Sequence, residues 1–126
     1  MGLKFCKCMN CGNIIGFVED KGVPVSCCGK QMAEMVPGAV DAAKEKHVPA
    51  VEVQDNVVSV QIGSVEHPMA EEHFIQWIAL ETKEGMQMKY LQPGMEPKAV
   101  FVLTKEEDVV AVYEYCNLHG LWKKEL

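Results

Sequence analysis

Nowhere in this chain do apolar residues run to eighteen in a row, so no segment reads as a membrane-spanning helix. Its first residues, MGLKFCKCMNC, reach a cysteine cluster almost at once and lack the apolar core of a secretory leader. A cytoplasmic protein is expected. Positive charge is in deficit, with 12 basic against 18 acidic side chains and a net charge of −6. That argues against nucleic acid, which needs a basic face. A small anionic substrate stays open, because a local positive charge can outweigh the global sign. Repeats and low-complexity segments are absent. Histidine is scarce: the 126 residues hold only His47, His67, His73 and His119.

Cysteine is not scarce. Six in a short chain would read as a disulfide framework in a secreted protein. Their placement favours metal ligation instead, with Cys8-x-x-Cys11 and the adjacent pair Cys27-Cys28 close to the N-terminus and Cys116 alone near the C-terminus. Residues 1–37 have little to bury, and a unit that small needs a staple. The Cys-x-x-Cys spacing lets two thiolates grip one ion. Gly12 and Gly29, each following a cysteine, can take positive φ and turn backbone N–H groups toward sulfur. Zinc is the commonest occupant of four cytosolic cysteines. The adjacent second pair should distort a tetrahedral site, which tunes the potential of iron and gives structural zinc nothing. Cys6 lacks a partner at that spacing and reads as a free thiol. Asn13–Val18 and Val23–Ser26 read as a hairpin around Glu19–Gly22.

Met35-Val36-Pro37-Gly38 marks a boundary. Ala39–Lys46 is polar and alanine-rich, and reads as a loop over a site rather than a core helix. From Pro49 onward the apolar pattern has period two, in Val51/Val53, Val58/Val60/Ile62 and Met86/Met88/Tyr90. Phe74–Glu81, Ala99–Leu103 and Val109–Tyr115 are further apolar runs, punctuated by Asp55-Asn56, Gly63-Ser64, Glu84-Gly85 and Pro93-Gly94. Some six or seven short strands at this spacing predict an antiparallel β-sandwich for residues 38–126, and an all-β chain. The 48% hydrophobic content is enough for one modest core and a small appendage.

All four histidines fall at strand ends or turns. His47 is two residues before Pro49, and His67 precedes Pro68, which holds it extended. His73 enters the Phe74–Glu81 run, and His119 is three residues after Cys116. Singly, each reads as a surface or satisfied polar residue; together, they and Cys116 make a five-donor set. Zinc prefers four ligands, and copper electron-transfer sites use fewer histidines. Iron accepts five with a sixth position open, and a thiolate opposite that position would push electron density toward whatever binds there. Such a site suits inner-sphere reduction of a dioxygen species.

Over essentially its whole length the sequence resembles the two-iron desulfoferrodoxins, the superoxide reductases. Cys8-x-x-Cys11-Gly-Asn and Cys27-Cys28-Gly resemble the desulforedoxin-type FeCys4 domain. Glu45-Lys46-His47-Val48-Pro49, Gly63-Ser64-Val65-Glu66-His67-Pro68-Met69, His73-x3-Trp77 and Tyr115-Cys116-Asn117-Leu118-His119-Gly120 resemble the catalytic motifs. The resemblance implies an FeCys4 domain over 1–37, an immunoglobulin-like sandwich over 38–126, and a homodimer. It implies two irons per chain, the second in a square-pyramidal centre. His47, His67, His73 and His119 would be equatorial ligands there, and Cys116 axial. The implied reaction is one-electron reduction of superoxide to hydrogen peroxide, with electrons from an external, rubredoxin-like donor. Lys46 would attract superoxide and order the water that protonates the product. Glu45 would ligate the resting ferric iron, which requires a mobile 39–47 loop, and would be dispensable for the reduction. The FeCys4 centre would be auxiliary.

Two rivals make distinct predictions. A non-enzymatic electron carrier needs a sixth protein ligand, for which Met69 and Glu45 are available. A zinc-stabilised binding module would be colourless and indifferent to substitution of His73.

Overall fold

The computed structural model describes residues 2–104 and 107–126. The chain divides into two compact units, Met1–Val36 and Pro37–Leu126. In the first, β1 (Phe5–Lys7) lies between β2 (Ile14–Gly16) and β5 (Ala33–Glu34), both antiparallel to it. Two shorter strands, β3 (Ser26–Cys27) and β4 (Lys30–Gln31), pair around Cys28-Gly29. The partner of Ile14–Gly16 is therefore Phe5–Lys7 rather than the expected 23–26 segment. Pro24 has no N–H to give a ladder, and the Asp20 carboxylate accepts the Gly22 N–H at 2.8 Å, closing a local turn instead. Cys6, Cys8 and Met32 form the small buried cluster, with Ile15, Phe17 and Cys27 against it.

The second unit contains a single helical turn, α1 (Lys44–His47), followed by β6 (Pro49–Gln54), β7 (Val57–Ile62), β8 (Ile75–Thr82), β9 (Gly85–Tyr90), β10 (Lys98–Val102), β11 (Val109–Cys116) and β12 (Gly120–Glu125). One sheet runs β10-β7-β6 and the other β12-β11-β8-β9, every pairing antiparallel. This is the predicted sandwich. Val58, Val60 and Ile62 of β7 alternate with polar residues, so one face of that strand is apolar. They meet Ile78 and Leu80 of β8, Phe101 of β10 and Val112 of β11 in the core, each large side chain contributing about 1.5–3 kcal/mol on burial. Cys116 belongs to this core and is fully buried. Among the described residues, no helix is long and apolar enough to cross a membrane.

Where sequence implied a plain loop over residues 39–47, the last four residues make one helical turn. It is too short to leave a periodic apolar signature. The Val48 N–H donates to the Lys44 carbonyl, and Nδ1 of His47 donates to the carbonyl of Ala43 at 2.8 Å.

Candidate metal centres

Each of the five sandwich donors is mounted by a different local device. His47 ends α1. His67 directly precedes Pro68, which disfavours a helical backbone there, and its Nδ1 donates to the Pro68 carbonyl at 2.7 Å. His73 closes a tight bridge in which the N–H groups of Ala70 and His73 each donate to the other's carbonyl at 3.0 Å. Cys116 is the last residue of β11, where the β8–β11 register shifts between Tyr115 and Cys116. Such an irregularity re-aims a side chain at the end of a strand. His119 lies in the turn to β12. The indole N–H of Trp122 donates to its carbonyl at 3.0 Å, and the same indole packs on the His47 ring at 4.9 Å.

The imidazoles form a closed square. Ring centroids are 4.7 Å apart for His47–His67, 4.7 Å for His67–His73, 5.0 Å for His73–His119 and 4.8 Å for His119–His47. Neighbouring planes meet at 79–85°. One donor atom from each histidine and the Cys116 sulfur all lie within 4.8 Å of one another.

These atoms fit a cation and little else. Because the Nδ1 protons of His47 and His67 go to carbonyls, both Nε2 atoms present lone pairs, and they face each other at 3.2 Å. Nδ1 of His119 stands 3.0 Å from the same His47 nitrogen, so His119 turns Nδ1 inward where His47 and His67 turn Nε2. Nε2 of His73 is buried without a hydrogen-bond partner. Burial holds His47 and His73 below the usual imidazole pKa and His67 down to about 4, which favours the neutral form of these three rings, as ligands must have. Lys46 adds to the depression at His47 and His73, so its charge reaches the site although its side chain is exposed. Burial pushes the Cys116 thiol up, and the backbone N–H groups of Leu118 and His119 at its sulfur work the other way.

In the N-terminal unit, the sulfurs of Cys8, Cys11, Cys27 and Cys28 also gather within 4.8 Å. The Cys11 and Asn10 N–H groups draw Cys8 down to about 6, while hydrogen bonding to the neighbouring sulfurs of Cys11 and Cys8 drives Cys27 up to about 12. Thiolates crowded this way need a shared positive charge. Cys28 takes a φ of +54° and Gly29 one of +74°, and this left-handed pair lets adjacent cysteines aim at one point. Cys6 is buried and lies outside the group.

The two possible sixth ligands do not join the sandwich set. The Met69 sulfur accepts the Ile75 N–H at 3.4 Å and packs against the core. Glu45 is exposed, and its carboxylate is not among the gathered donors.

The sequence alone did not point to Glu114 or Trp122, marked Gly63 only as a turn, and gave Asn117 no role. Glu114, on β11, is fully buried with neither carboxylate oxygen partnered among the described residues, and burial raises its pKa well above the usual range. An unpartnered buried polar group costs about 1–3 kcal/mol. Glu114→Leu is accordingly expected to stabilise the fold by about 1–2 kcal/mol, read as a rise of several degrees in Tm. A fall in Tm would mean that the carboxyl serves a contact of its own.

The desulfoferrodoxin family model matches residues 39–125. Desulfoferrodoxin of Nitratidesulfovibrio vulgaris is 46% identical over 119 residues, covering 94% of this chain and 93% of its own. The superoxide reductase of Pyrococcus horikoshii is 35% identical over 99 residues, 65% of this chain and 86% of its own. Among solved structures, the superoxide reductase of Treponema pallidum superposes with a TM-score of 0.83 at 40% identity, over 99% of this chain and all of the other. This sandwich, its two donor sets and its likeness to the Nitratidesulfovibrio vulgaris and Treponema pallidum proteins along nearly the full length place the chain in the desulfoferrodoxin family.

Proposed function

We propose that the chain is a two-iron superoxide reductase whose catalytic iron is held by nitrogens of His47, His67, His73 and His119 and by the sulfur of Cys116. The square of inward-facing imidazoles beside a buried thiol carries this reading. Bound there, iron would supply the single electron that, with two protons, converts superoxide to hydrogen peroxide. The residues do the rest. Lys46, one position before His47, offers the local positive charge that draws an anion to a protein of net charge −6. It orders the water that delivers the proton. Cys116 gives the site its electron-rich donor, and the core around it keeps bulk water from the sulfur.

Glu45, outside the gathered donors here, would reach the resting, oxidised iron only after the 39–47 loop moves, and would not be needed for the reduction. Residues 1–37 form the FeCys4 domain, with Cys8, Cys11, Cys27 and Cys28 as ligands in an auxiliary electron-transfer or structural role, and residues 38–126 form the catalytic domain. The protein works in the cytoplasm as a homodimer, supplied by an external donor of the rubredoxin kind. A pure electron carrier is the weaker reading, since Met69 has its sulfur engaged and Glu45 stands apart.

The test is stoichiometric. Superoxide pulsed onto the reduced protein is expected to be consumed one for one with the catalytic iron, yielding one hydrogen peroxide and no oxygen. In the same assay, Lys46→Met should lower the second-order rate about tenfold and flatten its salt dependence. Oxygen release would mean a dismutase. No consumption at all would leave the carrier.

A further inference from the structure

The four histidines are not equally tethered. The rings of His47 and His67 are each fixed by an Nδ1 hydrogen bond to a carbonyl, and the carbonyl of His119 is held by Trp122. The His73 backbone is bridged to Ala70, but no hydrogen bond fixes its ring among the described residues, where its buried Nε2 is unpartnered. A ligand whose ring is not anchored relies on its backbone mount, and metal sites depend on such outer contacts for affinity.

Besides the Ala70 bridge, the mount of His73 is made by one residue from the far end of the chain. The Asn117 side-chain oxygen accepts the Phe74 N–H at 2.9 Å, and its amide nitrogen donates to the Glu72 carbonyl at 3.0 Å. The Asn117 backbone N–H donates to the Phe74 carbonyl at 3.2 Å. Three hydrogen bonds thus grip the residues on either side of His73, and the gripping residue directly follows Cys116. Because Asn117 lies between Cys116 and His119 in the same turn, it ties the His73 corner of the square to the two donors contributed by that turn.

We infer that Asn117 is a positioning residue of the catalytic centre, which sets His73 relative to Cys116 and His119 through this clamp. The inference rests on the metal reading above. Asparagine is suited to the task because it offers an acceptor and a donor from one short planar group. Aspartate keeps the acceptor for Phe74 N–H but loses the donor to Glu72, and alanine loses both. Neither change touches the backbone hydrogen bond.

The experiment uses the full-length, two-iron protein. Iron is withdrawn from the oxidised form by a chelator, and loss of the thiolate-to-iron absorption of the Cys116 site is followed in time. The FeCys4 absorption in the same spectrum reports whether the variant is folded. Asn117→Ala is expected to release the catalytic iron at least about tenfold faster than the parent, and Asn117→Asp at an intermediate rate, both with the FeCys4 absorption unchanged. A second arm repeats Asn117→Ala in a His73→Ala background, where the accelerating effect should shrink toward nothing, because the ligand it acts through is already gone. Parental release rates in both Asn117 variants would overturn the inference. So would an undiminished Asn117→Ala effect without His73, which would mark a general loosening of the fold. A parent protein with no Cys116-dependent band would overturn the metal reading itself, an outcome distinct from the other two.

Discussion

Cys116→Ser is expected to give a folded protein that keeps the FeCys4 absorption, loses the second, thiolate-dependent band, and reduces superoxide at least about a hundredfold more slowly, equivalent to about 2.7 kcal/mol of barrier. Folding should survive because the change is small. The side chain is fully buried at the end of β11, and a serine oxygen can still accept the Leu118 and His119 N–H groups that now reach the sulfur. What cannot survive is the donor chemistry. A thiol at a cation gives up its proton and becomes a soft, charge-donating ligand, whereas an alcohol at the same point stays neutral or binds as a hard donor. The four imidazoles retain a square able to hold a divalent ion, so metal content alone would not reveal the loss. Visible absorption and the superoxide rate, measured together, do. Full activity without the band would remove the thiolate from the mechanism.

The residues that betrayed themselves in sequence were those whose chemistry is carried by type and local spacing. Cys8-x-x-Cys11, Cys27-Cys28 and Cys116-x-x-His119 announce sulfur and nitrogen donors, and the structure gathers each set within 4.8 Å. Strands were equally visible where one face is buried, as in Val58/Val60/Ile62, because period-two alternation is a local property. Pairing is not local. The partner of Ile14–Gly16 is a three-residue strand, Phe5–Lys7, that no alternation marks, and β12 hides because Leu121-Trp122-Lys123-Lys124 has no period two. Asn117 lies inside a motif whose chemistry falls to its neighbours, and Gly63 shows in sequence only as a turn residue. What makes them matter is contact with residues 43 and 18 positions away, at Phe74 and Glu45. A buried unpaired carboxyl such as Glu114 is likewise invisible until the strand around it is packed.

Gly63→Ala should have the largest effect of the glycine-to-alanine changes from Gly12 to Gly120. Gly63 follows β7 with a φ of +81°, which an alanine occupies only under strain. Its space is the greater obstacle. A Cβ there would stand 2.4 Å from the Val65 carbonyl oxygen, 2.7 Å from the Glu45 carbonyl oxygen and 2.8 Å from the carbonyl carbon of Lys46. All three are backbone atoms, so no side-chain rotation relieves the overlap. The two segments are also latched together: the Val65 N–H donates to the Glu45 carbonyl at 2.9 Å, the Ser64 hydroxyl to the same oxygen at 3.3 Å, and the Gly63 N–H to the Val48 carbonyl at 3.3 Å. An added methyl must therefore push the 45–48 backbone off the 63–65 turn, carrying Lys46 and His47 with it. His47 is the corner whose nitrogen lies 3.2 Å from His67 and 3.0 Å from His119, a spacing that tolerates no such shift. The expected result is a loss of about 3 kcal/mol in stability and at least about tenfold weaker iron binding at the histidine site, with the FeCys4 absorption retained. Gly94→Ala is the matched control. Its φ of +89° is just as restrictive, but the space around it is open, so only the strain of about 1 kcal/mol should appear. Urea unfolding and iron stoichiometry of the two variants side by side separate strain from displacement. Gly63→Ala behaving like Gly94→Ala would show that the latch yields, and that Lys46 and His47 are not held by the turn beneath them.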